Sequence, residues 1–119
     1  SISHAPGLSL AAWCEQGRVG VDLQAMPLQA GRAELLRTAD LFLPPNSVET
    51  LANQALNASL IEAFTGFWSA HEAALKCLGL ALAEYSPALA ARLTGVRTAA
   101  LTLPGWATPD LVAALAWRP

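Results

Sequence analysis

Glu72 and Lys76 stand four residues apart in the segment Phe67-Trp68-Ser69-Ala70-His71-Glu72-Ala73-Ala74-Leu75-Lys76-Cys77-Leu78-Gly79. At helical spacing that places one carboxylate and one ammonium on a single face. Alone, such a pair reads as an exposed ion pair worth about 0.3–0.5 kcal/mol; with other groups beside it, it reads as part of a site. Asp22 is the second group of interest. It lies in the apolar run Val19-Gly20-Val21-Asp22-Leu23, where a carboxylate is costly without a partner or a metal, and its plainer reading is a turn-forming Asp after a strand. His4, in Ser3-His4-Ala5-Pro6-Gly7, is a loop residue or a ligand. A zinc set of His4, Cys14, His71 and Cys77 is disfavoured, because no C-x-x-C or H-x-x-x-H spacing is present.

The elements that must position these groups follow from pattern. Leu8 to Cys14 and Val19 to Leu23 are apolar β-type runs separated by Glu15-Gln16-Gly17-Arg18, which predicts a hairpin with Gly17 at positive φ. Arg32 to Phe42 carries Leu35, Leu36, Ala39 and Phe42 at helical spacing and stops before Pro44-Pro45. Asn46-Ser47-Val48-Glu49 predicts a capping box opening a short helix through about Leu56. Ser59-Leu60-Ile61-Glu62 predicts a second, opening a long helix from Leu60 to Leu78 that Gly79 closes. Its apolar stripe is Leu60, Phe64, Phe67/Trp68, Leu75, Leu78, and its polar stripe Glu62, Thr65, Ser69, Glu72, Lys76. Ser86 to Leu93 predicts a helical turn or two, and Val96 to Leu103 and Leu111 to Trp117 predict strands. Strands, then helices, then strands imply an α+β fold, with an antiparallel sheet packed against one long helix plus shorter helices.

Composition bounds the function. The 119 residues are 54% hydrophobic and 13% charged with net charge -2, which fits a single domain over residues 1–119 with its own core and excludes intrinsic disorder. The most apolar stretch, Ala73 to Ala83, is interrupted by Lys76 and too short for a membrane span. Scattered basic residues and a pI near 5.5 give no footprint for nucleic acid. Cys14 and Cys77 read as core thiols of a reducing, cytoplasmic setting, and no secretory leader pattern opens the residues. Ser1 rather than Met stands first, which fits a processed, trimmed or excised chain. Trp13, Trp106 and Trp117 read as core or interface aromatics rather than base-stacking platforms. A high apolar content with few charges implies that another chain or segment covers part of the surface.

Three segments in order resemble the 4′-phosphopantetheinyl transferase superfamily. Ile2-Ser3-His4-Ala5 is similar to its Ser-His segment, Gly20-Val21-Asp22-Leu23-Gln24 to its Asp-bearing strand, and Phe67 to Gly79 to its long Trp-Lys-Glu helix. Phe42 with Ser47-Val48-Glu49 is more weakly similar to the stretch between the last two. The resemblance implies a Mg²⁺- and coenzyme A-dependent enzyme of the holo-[acyl-carrier-protein] synthase type. Such an enzyme moves phosphopantetheine to a serine of an apo acyl or peptidyl carrier protein. It also implies the roles. Asp22 and Glu72 hold the metal with Gln24, and Glu72 deprotonates the serine directly or through water. Lys76 holds the α-phosphate and leaving oxygen, and His4, with Ser3 assisting, contacts a coenzyme A phosphate.

Departures from the pattern matter. Gln24 stands where many members have Glu, keeping an oxygen but no charge. His71 replaces a Lys, exchanging a permanent charge for a pH-sensitive phosphate contact or a partly covered helix residue. Arg32 and Arg37 lie on a helix that docks carriers in related enzymes, or on a solvated face. Long members carry an extra N-terminal half before the Ser-His segment, and short members trimerise. This sequence joins the long type's motifs to the short type's length. Self-association to a homo-oligomer that rebuilds the missing half is the expectation, and a partial enzyme the alternative. The rival function is a non-catalytic coenzyme A- or carrier-binding module on the same fold.

Overall fold

The computed structural model describes all residues, Ser1–Pro119. Ile2–Ala5 (β1) and Leu8–Ala11 (β2) form an antiparallel hairpin across Pro6-Gly7, with Gly7 at φ 81°. Arg18–Ala25 (β3) opens the main sheet. Arg97–Leu101 (β4) and Leu111–Arg118 (β5) complete it in the order β3-β5-β4, antiparallel throughout.

The expected pairing of Leu8–Cys14 with Val19–Leu23 is therefore wrong. Gly17 does take φ 79°, but the turn delivers β3 to β5, and a Cβ on Gly17 would lie 2.5 Å from the Arg118 carbonyl oxygen. The physical reason is length: β5 matches β3 over eight residues in register, Arg18 opposite Arg118 through Ala25 opposite Leu111, whereas β2 has only four residues to offer. The free edge of β3 is met by Ser1 and by Ser3 of β1 through side chains instead of a ladder. Val21 N–H donates to Ser1 Oγ and Leu23 N–H to Ser3 Oγ, each at 3.0 Å, so two hydroxyls satisfy donors that burial would otherwise orphan.

Arg32–Phe42 (α1) forms where the spacing predicts it. Pro45–Ala52 (α2) ends four residues short of Leu56, and Asn57–Leu78 (α3) starts three residues before Leu60. Neither predicted capping box forms: Pro44 and Leu56 are the N-cap residues and neither makes a side-chain cap bond. In α2 proline at the first helical position, with its fixed φ and no N–H to satisfy, takes over the start. The other end of α3 is as expected. Gly79 adopts φ 69°, and the Gly79 and Leu80 amides donate to the Lys76 and Leu75 carbonyls, a Schellman closure. Pro87–Leu93 (α4) is capped by Ser86, whose hydroxyl accepts from Leu89 N–H at 3.1 Å.

Two apolar clusters straddle α3. Its N-terminal half packs Leu60, Ile61 and Phe64 with Leu35, Ala39, Leu43 and Leu51 of α1, α2 and their connection. Its C-terminal half lays Ala73, Ala74 and Cys77 on Ala114 and Ala116 of β5. Small residues there let helix and sheet approach closely. Gly20 is the extreme case, since a Cβ would overlap the Ala73 carbonyl and the Cys77 nitrogen. Trp13 and Trp106 are 80% and 71% exposed, so neither is a core residue. Cys14 is exposed too, against expectation, while Cys77 is buried: Cys14 lies in the exposed stretch 13–17 that connects β2 to β3.

A candidate active site between β3 and α3

Successive residues of a strand face opposite sides, so Gly20, Asp22 and Gln24 share the side of β3 that meets α3. Gly20 lets the helix in. One pleat on, Asp22 is 2% exposed and its side chain is fully accounted for. Lys76 Nζ reaches Oδ1 at 3.0 Å, and Gln24 Nε2 donates to Oδ2 at 2.8 Å. Ser69 Oγ donates to the Asp22 main-chain carbonyl at 3.3 Å. The polar stripe of α3 thus turns inward at its middle: Thr65 and Ser69 are buried, and Thr65 Oγ1 donates to the Ile61 carbonyl at 2.7 Å. The lone i,i+4 pair drawn from spacing is not what forms, because Lys76 bonds Asp22 across the interface.

Glu72 is half-buried beside this pair. Burial raises its carboxyl pKa above the ordinary value; the Asp22 charge adds to the rise and the Lys76 ammonium opposes it. Two carboxylates that repel each other at one spot are a hard-oxygen donor set, and Gln24, bonded to Asp22 through its N–H, brings an amide oxygen beside them. No group of three or more His, Cys, Asp and Glu side chains that could hold a metal ion gathers in the chain; with only Asp22 and Glu72 as carboxylates, a cation here would have to keep waters. That is the habit of Mg²⁺ rather than of zinc. The residues fit the ion.

The other residues singled out by sequence stand apart from this cluster. His71 is buried and faces the other way along α3, into a cavity of about 280 Å³ between α2, α4 and β4 that Asn46, Ser47, Phe67 and Thr98 also line. Its Nε2 has no hydrogen-bond partner, and burial lowers its pKa below the ordinary value. His4 is exposed on β1, its Nδ1 2.8 Å from Ser9 Oγ. Ser3 is buried and spends its hydroxyl on β3. Arg32 donates to the Ala52 and Gln54 carbonyls, tying α1 to the end of α2, while Arg37 is exposed. Two contributors escaped the sequence reading of the site. Gly20 carried a signal, a glycine two residues before an Asp on one strand face. Ser69 carried one as well, a hydroxyl one helical turn from Glu72.

No curated protein matches the chain. A family model described as the 4′-phosphopantetheinyl transferase superfamily matches residues 18–113, a span that holds β3, α3 and all four gathered residues and begins after Ser3 and His4. With the family model covering four fifths of its length and an α+β antiparallel fold compatible with it, the chain belongs to the 4′-phosphopantetheinyl transferase superfamily.

Proposed function

We propose that, within the phosphopantetheinyl transfer that marks its family, this chain moves 4′-phosphopantetheine from coenzyme A to a serine of an apo acyl or peptidyl carrier protein in the cytoplasm. The observation that carries the reading is the convergence of Asp22, Gln24, Glu72 and Lys76 from one strand and one helix. In the reaction the serine oxygen bonds to the β-phosphorus. The bond from that phosphorus to the oxygen bridging the two phosphates breaks, and adenosine 3′,5′-bisphosphate leaves. Asp22 and Glu72, with Gln24, would hold Mg²⁺, which when bound supplies charge stabilisation at the pyrophosphate oxygens.

The chain's own groups do the rest. Glu72, whose pKa is raised by burial first and by Asp22 second, is a stronger base once ionised than an exposed carboxylate and takes the serine proton directly or through water. Lys76, one turn on and one-third exposed, neutralises the leaving phosphate. His4 with Ser3, and His71, are assigned to coenzyme A contacts on the resemblance alone. Exposed Ile2, Trp13, Leu28 and Trp106 support burial against a second copy, which would complete the coenzyme A pocket.

The test is intact-mass analysis of an apo-carrier protein incubated with the chain, coenzyme A and Mg²⁺. Gain of one phosphopantetheine, absent with Glu72→Ala, is the expected result; no gain across acyl and peptidyl carriers overturns the catalytic reading. A binding module on the same fold is the second reading. It is favoured by His71 facing away from Asp22 and by the uncharged Gln24, and it predicts coenzyme A binding without mass gain.

A further inference from the structure

Both oxygens of the Asp22 carboxylate are engaged, Oδ1 by Lys76 Nζ and Oδ2 by Gln24 Nε2. The carboxylate is 3% exposed and the lysine 33%. A buried carboxylate of this kind needs a counter-charge at all times, yet an ammonium and a divalent cation on one carboxylate repel strongly. The two donors are not equal candidates to leave. Gln24 is neutral, sits two residues from Asp22 on the same strand face, and gains nothing by moving. Were its amide turned the other way, an oxygen would face an oxygen. Lys76 has a flexible stem, reaches solvent, and carries the charge that a cation would oppose.

We infer that Lys76 is the stand-in counter-ion of Asp22, displaced by the arriving divalent cation and thereby handed to the substrate phosphate, while the Gln24 N–H keeps hold of the carboxylate and leaves its amide oxygen for the cation. The inference rests on the reading of Asp22 as a metal ligand. It adds that metal binding and the placing of the ammonium are one event, an exchange of one ionic contact for another with no covalent change. The pair closes the site's electrostatics before the cation arrives and frees a phosphate-binding group when it does.

The test is Mn²⁺ binding, followed by loss of the free-ion electron paramagnetic resonance signal, to the wild-type chain and to Lys76→Gln, Lys76→Met and Asp22→Asn. Each variant's fold is checked by circular dichroism. Lys76→Gln keeps a neutral donor beside Asp22, so it remains informative if Lys76→Met fails to fold. The expected result is binding about tenfold tighter or more in the neutral Lys76 variants, and loss of binding in Asp22→Asn. Equal or weaker binding in folded Lys76→Gln, with binding still lost in Asp22→Asn, overturns the exchange and leaves Asp22 as a ligand. Binding that survives Asp22→Asn, or that is absent in every protein up to millimolar Mn²⁺, overturns the metal-ligand reading and the exchange with it.

Discussion

Asp22, Glu72 and Lys76 are coupled charges, and each substitution among them has a distinct signature. Glu72→Ala removes the proposed base from a half-buried position whose charge is already disfavoured. Transfer to the carrier is expected to fall by a factor of about 100 or more, with the circular dichroism spectrum unchanged. Asp22→Ala differs, because it leaves Lys76 without its partner and empties a buried polar position; a lower melting temperature accompanies the lost activity. His71 gives a pH effect of definite sign. Burial sets its folded pKa below the value of 6.5 for the free side chain, so the unfolded chain binds the proton more readily. Stability from this residue is complete above that value and is lost as pH falls through the folded pKa. Urea unfolding at pH 7 and pH 5 is expected to show a smaller acid penalty in His71→Leu than in the wild type. An unchanged difference would mean that His71 does not titrate in this range.

The β3–α3 contact is the element-scale decision, and Gly20 controls it. A methyl group there meets helix backbone and not a movable side chain. Gly20→Ala is therefore expected to cost about 1–3 kcal/mol as overpacking, and activity falls with it because Asp22 and Lys76 move apart. Chemical denaturation with a parallel transfer assay checks both. The hairpin β1–β2 is held to β3 by two serine hydroxyls. Ser3→Ala leaves the buried Leu23 N–H without its acceptor and is expected to lower stability by about 1–3 kcal/mol.

At the scale of the whole molecule, the two thiols report opposite environments. Cys14 is exposed and Cys77 buried, and burial is the first cause that raises the Cys77 pKa, against smaller opposing effects of Arg118 and Arg18. The thiolate is the reactive form. One equivalent of thiol is expected to react promptly with an aromatic disulfide reagent at pH 8, and the second only as fast as the protein opens. Two fast equivalents would show that the α3–β5 layer is open in solution. No helix is long and apolar enough to cross a membrane.

Local rules were sufficient for several features. The chain itself determined α1, the Gly79 closure of α3, the Ser86 cap of α4 and the two closing strands, because each depends on spacing or backbone conformation within a few residues. The Gly20–Gln24 and Phe67–Gly79 segments also held the four residues that the fold gathers, Asp22, Gln24, Glu72 and Lys76. Tertiary structure alone decided the rest. Which strand β3 joins is a choice among distant partners, and Gly17 is compatible with more than one. Whether Lys76 pairs with Glu72 on its own helix or with Asp22 across the interface depends on how close Gly20 lets α3 approach. The stripe of Thr65 and Ser69 looks solvated by periodicity and is buried, because hydrogen bonds to the Ile61 and Asp22 carbonyls satisfy it. His71 and Glu72 are neighbours in sequence, yet His71 faces the cavity between α2, α4 and β4 while Glu72 stands beside Asp22 and Lys76, because a helix turns about 100° per residue and only the packed sheet says which direction is inward.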